Sequence, residues 1–200
     1  MAERRNRPAA SSPPTPASAA KAPRPLKTRR LLLRALRLAD APWIRRLAGD
    51  RTVASTTLRI PHPYEKGMAE QWIRAQRERQ RNGREIAFAI VLRSRNRLIG
   101  VIGLRLTARH ARGELGYWIG KPYWNQGYAT EAAAAVLGYG FETLGLNRIC
   151  AYHFRRNPAS GRVLKKLGMT YEGILRQHIL KWGAFEDLAG YGILRSEYRK

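Results

Sequence analysis

A chain of 200 residues, 44% of them hydrophobic, is long enough for one domain with a substantial core and has the composition of a globular protein. Thirty-eight Lys and Arg against fourteen Asp and Glu give a formal charge of +24, a field that draws in ribosome, nucleic acid or an anionic cofactor and repels small polycations unless a local acidic pocket intervenes. The single cysteine, Cys150, excludes an internal disulfide and argues for a reducing compartment. With no apolar run long enough to span a bilayer and no apolar secretory segment, a cytoplasmic location is expected.

Residues 1–27 hold six of the eleven prolines. With so little apolar content this stretch cannot offset the entropy of ordering, and it is expected to be a disordered basic tail. Its Arg4, Arg5, Arg7, Lys21 and Arg24 suit loose RNA contact or plain solubility equally well. Pro density argues against an amphipathic transit peptide. Residues 28–200 are the expected folded domain. Its first strand covers Arg30–Ala35, and Asp40 caps a helix from Ala41 to Leu47. Arg51–Pro63 reads as loop, with Pro61 and Pro63 forcing extended backbone before a helix over Tyr64–Arg81. Met68, Trp72, Ile73 and Gln76 form the thin inner face of that helix, and Asn82-Gly83 ends it. Ile86–Leu92 and Leu98–Leu106 are predicted to pair as a hairpin around Ser94–Asn96.

The stretch from Glu114 to Leu144 organises the rest. Glu114–Ile119 reads as a strand, Pro122 lies in a turn, and Asn125-Gln126-Gly127-Tyr128-Ala129-Thr130 opens an Ala-rich helix with apolar Ala133, Val136, Leu137, Phe141 and Leu144 on one face. A strand, then a Gly and small residues at a helix mouth, suits anion binding. First-turn N–H groups lack intrahelical partners, and the helix dipole adds positive charge there. Neither the Gly spacing of a dinucleotide site nor the Gly-Lys-Ser/Thr ending of a Walker loop is present. Arg148–Phe154 is a strand with Ile149, Ala151 and His153 on one face and Cys150, Tyr152 and Phe154 on the other, so Cys150 reads as a small buried residue rather than a nucleophile. Asn157 caps a helix with Pro158 at its first position, running to Leu167 with Val163, Leu164 and Leu167 inward. Strands over Thr170–Leu180 and Asp187–Arg195, joined through Trp182-Gly183-Ala184-Phe185, close the chain. The fold class expected is α+β, a central mostly antiparallel sheet flanked by helices.

Gly116-Tyr117-Trp118-Ile119, Trp124-Asn125-Gln126-Gly127-Tyr128-Ala129-Thr130-Glu131 and Asn157-Pro158-Ala159-Ser160 leading to Leu167-Gly168-Met169 resemble the GNAT superfamily of N-acetyltransferases. Within it they are most similar to the ribosomal-protein N-terminal acetyltransferases of RimJ and RimL type. The resemblance covers Thr28 to Tyr198 with the motifs in the family's order. Trp124, where many members carry Gln or Arg, is similar to this subgroup. The resemblance implies acetyl-CoA as donor and no metal. Its pantetheine arm would lie along Tyr117, Trp118 and Ile119 between two splayed strands, and its pyrophosphate at the N–H groups of Asn125, Gln126, Gly127, Tyr128, Ala129 and Thr130. Asn157 matches the residue that hydrogen-bonds the arm. It is equally a helix cap.

For the chemistry, the Tyr that many members use as proton donor is replaced here by Leu164. That leaves Ser160 as candidate general acid, against a role in capping or cofactor contact. Glu114 is the candidate base, directly or through water, with His178 the second candidate. A backbone N–H near Trp118 or Ile119 would hold the oxyanion. Three functions stay open. The first is acetylation of a protein N-terminus, ribosomal above all. The others are acetylation of a small amine such as a polyamine or antibiotic, and a non-catalytic RNA- or ribosome-binding protein. The partners expected are acetyl-CoA and a protein or peptide N-terminus, with no membrane, in a monomer or homodimer.

Overall fold

Strand pattern and turn signals resolve into one eight-stranded sheet. The computed structural model describes residues 23–199. Its sheet runs in the order β1 (Leu26–Lys27), β2 (Leu31–Ala35), β3 (Glu85–Leu92), β4 (Arg97–Thr107), β5 (Arg112–Ile119), β6 (Arg148–Phe154), β8 (Ala184–Leu194), β7 (Thr170–Lys181). Helices α1 (Ala41–Ala48), α2 (Arg51–Ser55) and α3 (Met68–Arg81) lie between β2 and β3. Helix α4 (Tyr128–Gly138) joins β5 to β6, and α5 (Pro158–Lys166) joins β6 to β7. Every neighbouring pair is antiparallel except β5 with β6. The expected α+β class, a mixed sheet flanked by helices, is the one observed.

The sheet buries both faces at its centre, which is why β3 reads as a near-continuous apolar run from Ile86 to Leu92. On one face Leu33, Phe88, Ile102 and Leu115 pack under Ala133, Val136 and Leu137 of α4 and Leu164 of α5. On the other, Ala87, Ala89 and Val101 meet Ile44 and Leu47 of α1 and Ile73 of α3. Cys150 is buried in this framework, its thiol facing Gly113 O at 3.6 Å. Burial and then the nearby Glu114 carboxylate push that thiol up, so the inert reading of Cys150 holds.

Several expected boundaries move. Residues 51–63 are not all loop, because Asp50 accepts hydrogen bonds from Thr52 N–H at 2.7 Å and Val53 N–H at 3.3 Å and starts α2. Helix α3 begins at Met68 rather than Tyr64, since Gly67 stands before it at φ +90°. Regular helix in α4 stops at Gly138 and passes into a π turn over Tyr139–Thr143, with Leu144 N–H bonded to Tyr139 O at 3.1 Å. Phe141 and Leu144 stay buried through that turn. In α5 Leu164 is buried while Val163 and Leu167 are half-buried. Strand β8 starts at Ala184, so the final turn is Trp182-Gly183 alone. At the other end, Leu26 pairs with Leu33 and Lys27 with Leu32, which brings the last residues of the expected tail into the sheet. The disorder expected for residues 1–22 lies outside the described residues.

One departure from regular pairing positions everything that follows. β5 and β6 pair from Arg112↔Arg148 to Leu115↔Ala151 and then part. β5 continues along β4 to Ile119, and β6 continues along β8 to Phe154. A gap therefore opens inside the sheet between Gly116–Ile119 and Tyr152–Phe154.

Candidate active site

The gap exposes backbone that a sheet would otherwise consume. Gly120 N–H donates to Ile99 O at 2.8 Å, and β4 and β5 stay in unbroken register. Backbone groups alternate in such a ladder, so Gly116 and Trp118 turn theirs to β4, while Tyr117 and Ile119 turn theirs into the gap. Trp124 Nε1–H donates to Ile119 O at 2.6 Å. What remains for a ligand is Tyr117 N–H and C=O and Ile119 N–H. Trp118, expected to share this role, offers its side chain only.

At one end of the gap lies the mouth of α4. Asn125 at φ +58° and Gly127 at φ +77° bend the chain into it. The first intrahelical bond there joins Glu131 N–H to Gly127 O at 3.0 Å, so the N–H groups of Tyr128, Ala129 and Thr130 have no partner within the helix. A cleft of about 310 Å³ runs past these residues, Asn125, and the first turn of α5. Gln126 does not line it, because its side-chain amide turns back to donate to Pro122 O at 3.1 Å. Arg30 does reach the mouth. Its Nη2 stands 3.4 Å from where a Cβ on Gly127 would project. Nε of the same side chain is paired with Glu131 Oε2 at 2.7 Å, and its guanidinium lies over the Tyr128 ring, 4.4 Å from the centroid. Glu131 also accepts from Thr28 Oγ1 at 2.6 Å and Arg30 N–H at 2.8 Å. Burial pushes the Glu131 carboxyl up, but these hydrogen bonds and the Arg30 charge together hold it below its ordinary value.

Across the gap, Asn157 caps α5. Its Oδ1 accepts Ser160 N–H at 3.4 Å, and its Nδ2 donates to Ser160 Oγ at 3.1 Å. Tyr117 places its hydroxyl on the same side of the sheet, buried. Burial pushes that phenol up to about 12; Ser160 pulls the other way, though no bond of full hydrogen-bond geometry joins the two.

A second cleft, of about 790 Å³, opens on the opposite face against α1, α3 and the loop over 56–61 and reaches through the gap. Thr56, Thr57, Tyr117, Trp118 and Ser160 line both clefts, which makes their meeting point the place where two substrates can touch. Glu114 lines the second cleft and is paired with Arg105 at 3.4 Å, each side chain about a third exposed. His178 does not belong here. It is exposed on β7, the outermost strand, at an irregular stretch between Leu175 and Ile179, and it lines neither cleft. Among the described residues no three His, Cys, Asp or Glu converge as a metal site, and no helix is long and apolar enough to cross a membrane.

A splayed parallel pair, a bare strand edge and a helix mouth at one end of the gap coincide with a match of residues 30–170 to the family model described as Acetyltransferase (GNAT) domain. The chain belongs to the GNAT acetyltransferase family. YnaD of Bacillus subtilis, named as an uncharacterised N-acetyltransferase, is 32% identical over 174 residues, 86% of this chain and 98% of that protein. YdaF of the same organism, whose name assigns it provisionally to ribosomal N-acetylation, is 33% identical over 102 residues, 50% of this chain and 56% of YdaF. The solved spermidine N-acetyltransferase from Vibrio cholerae, in complex with CoA and spermine, is 25% identical with TM-score 0.75, covering 86% of this chain and 99% of that one.

In this GNAT enzyme the residues present fit a CoA thioester. Tyr117 and Ile119 offer ladder groups to an amide-bearing arm, and the α4 mouth with Arg30 offers donors and charge to a pyrophosphate. Arg162 and Lys166, exposed on α5, add cations to the same cleft. Arg30, Thr56, Thr57, Arg162 and Lys166 escaped the sequence reading. Only the last two left a local signal, a basic pair four residues apart on the helix after Asn157.

Proposed function

We propose that this N-acetyltransferase moves the acetyl group of acetyl-CoA to the α-amine at the N-terminus of a peptide or protein, a ribosomal protein being the favoured acceptor. The observation that carries the choice is the charge in the larger cleft. Its two glutamates are already matched, Glu85 with Arg79 at 3.0 Å and Glu114 with Arg105 at 3.4 Å. Arg59 and Arg84 line the same cleft, exposed, and form no ion pair among the described residues. A polycation such as spermidine would meet uncompensated guanidinium groups there, whereas a peptide brings one amine and carbonyl acceptors. The charge of +24 favours approach to a ribosome, and the provisional name of YdaF points the same way.

The donor supplies an electrophilic carbonyl carbon and a thiol leaving group. Tyr117 or Ile119 N–H, aimed into the gap, is suited to the oxyanion that forms as the amine attacks. Glu114, with about a third of its side chain exposed, takes up the amine proton directly or through a water. Ser160 is the hydroxyl that meets the departing sulfur. Because Asn157 Nδ2 donates to Ser160 Oγ, the Ser160 proton is left to point elsewhere. Holding the amine beside the thioester supplies most of the rate.

Fragment-ion mass spectrometry of a peptide with an N-terminal α-amine and an internal lysine tests this, after incubation with the full chain and acetyl-CoA. The acetyl group is expected on the α-amine. Modification of the lysine alone, or of neither amine, contradicts the proposal.

A further inference from the structure

Among the described residues two buried side-chain polar atoms lack a hydrogen-bond partner, the Tyr117 hydroxyl and His153 Nε2. Both border the first turn of α5, but they differ in what can reach them. His153 Nδ1 lies 2.8 Å from Phe154 O and so carries the ring proton. Its Nε2 faces Gly161, where a Cβ would approach within 2.9 Å, and His153 lines the larger cleft but not the one at the α4 mouth. Tyr117 instead stands at the junction of the two clefts with Ser160. A buried hydroxyl without a partner costs stability, and this one lies beside Ser160 on a residue that lines both clefts, where a bound substrate can supply the partner.

We propose that the Tyr117 hydroxyl is a second catalytic group, donating a hydrogen bond to the sulfur of the departing thiol beside Ser160. This rests on the acetyl-CoA reading above. Tyr117 turns its backbone groups into the gap toward the donor and offers its hydroxyl to the reacting end, so one residue sets both. The C–N bond forms as the C–S bond breaks, and the electron pair goes to sulfur. The proton that sulfur finally gains is the one the amine gives up through Glu114 or water; neither hydroxyl is consumed. A phenol held at about 12 keeps its proton beside a thiolate whose ordinary value is about 8.5. It therefore stabilises the thiolate and does not titrate.

Tyr117→Phe in the full chain tests this with three readouts. Acetyl-CoA turnover on the peptide acceptor is expected to fall about ten- to hundredfold in kcat, the range of one hydrogen bond to a charged group, with KM for acetyl-CoA little changed. Ultraviolet absorbance of enzyme-bound CoA against pH is expected to show the bound thiol ionising at higher pH in the variant than in the wild type. The unliganded Tm is expected to hold or rise, because an unmet hydroxyl has been removed. Unchanged kcat and unchanged thiol ionisation overturn the proposal, as does a kcat loss that travels with a falling Tm and weaker CoA binding. A wild type that binds CoA but turns over no amine contradicts the acetyl-transfer reading instead, and the bound-thiol titration then decides on Tyr117 by itself.

Discussion

Asn157 holds Ser160 at two points, its Oδ1 accepting Ser160 N–H at 3.4 Å and its Nδ2 donating to Ser160 Oγ at 3.1 Å. Capping the helix and aiming the hydroxyl are thus one arrangement made by one amide. In the proposed reading, the second lone pair and second proton of that amide serve the donor's arm. Asn157→Asp keeps the cap but replaces the Nδ2 donor with an acceptor, which draws the Ser160 proton toward residue 157. The expected result is a fall in kcat with Tm retained. Asn157→Ala should lose both, with about 1 kcal/mol of stability going with the cap. Paired kcat and thermal-unfolding measurements on the two variants check this, and equal effects of both would show that Asn157 does not aim Ser160.

Glu114 and Ser160 should separate by pH. An α-amine with pKa about 7.7–8.0 is roughly a tenth neutral at pH 7 and mostly neutral at pH 9. Glu114→Gln should therefore cost at or below the bottom of the range typical for general base catalysis, about 10²-fold, and the loss should shrink toward pH 9. Ser160→Ala should lose kcat at every pH, since its task is to face the sulfur. Rate profiles of both variants on one peptide check the assignment. Parallel, pH-independent losses with weaker cofactor binding would make both residues structural.

Gly127 and Arg30 stand together at the α4 mouth, where the proposed reading puts the pyrophosphate. A Cβ at Gly127 would meet only Arg30 Nη2, at 3.4 Å, but φ is +77°. Gly127→Ala is thus expected to lose about 1–2 kcal/mol through the left-handed backbone, and Gly127→Val more. Both should also bind acetyl-CoA more weakly as the mouth narrows. Arg30→Gln leaves the backbone alone and should weaken binding by about three- to tenfold, a modest figure for a charge one-third exposed. Calorimetry in low and high salt checks it, since the Arg30 effect should shrink as salt rises.

The Glu131 carboxyl is half-buried, which pushes it up, yet Thr28 and Arg30 outweigh this and hold it below its ordinary value. A depressed carboxyl contributes stability that is present above its unfolded value, about 4.3, and is lost as pH falls through the lower folded value. Glu131→Gln should therefore lower Tm near pH 7, and its Tm gap to the wild type should narrow as pH falls below about 4. Thermal unfolding across pH 3–7 measures the gap, and a constant gap would rule out the charge as the cause.

Much of this was legible in the chain. Val136, Leu137, Phe141 and Leu144 are buried as their spacing required, β6 covers Arg148–Phe154 as read, and the Asn157-Pro158 signal is the observed cap. What could not be read depends on long-range placement. Arg30 reaches Gly127 through Glu131, a hundred residues away in sequence, and no local pattern records that. Which of Tyr117 and Trp118 faces the gap follows from where Gly120 N–H is bonded. His178 lost its expected place because β8 inserts between β6 and β7 and carries β7 to the edge. Helix α2 is too short to show periodicity, so Thr56 and Thr57, which follow it into both clefts, read as loop.

The central claim is that the clefts meet so that an acetyl thioester in one can be attacked by an α-amine in the other. Acceptor-dependent release of thiol from acetyl-CoA, followed side by side for a short peptide with an N-terminal α-amine, the same peptide blocked at that amine, and spermidine, tests it most directly. Release with the unblocked peptide alone is the predicted result. Release with spermidine in preference to the peptide, or at the same rate with and without any amine, would contradict it.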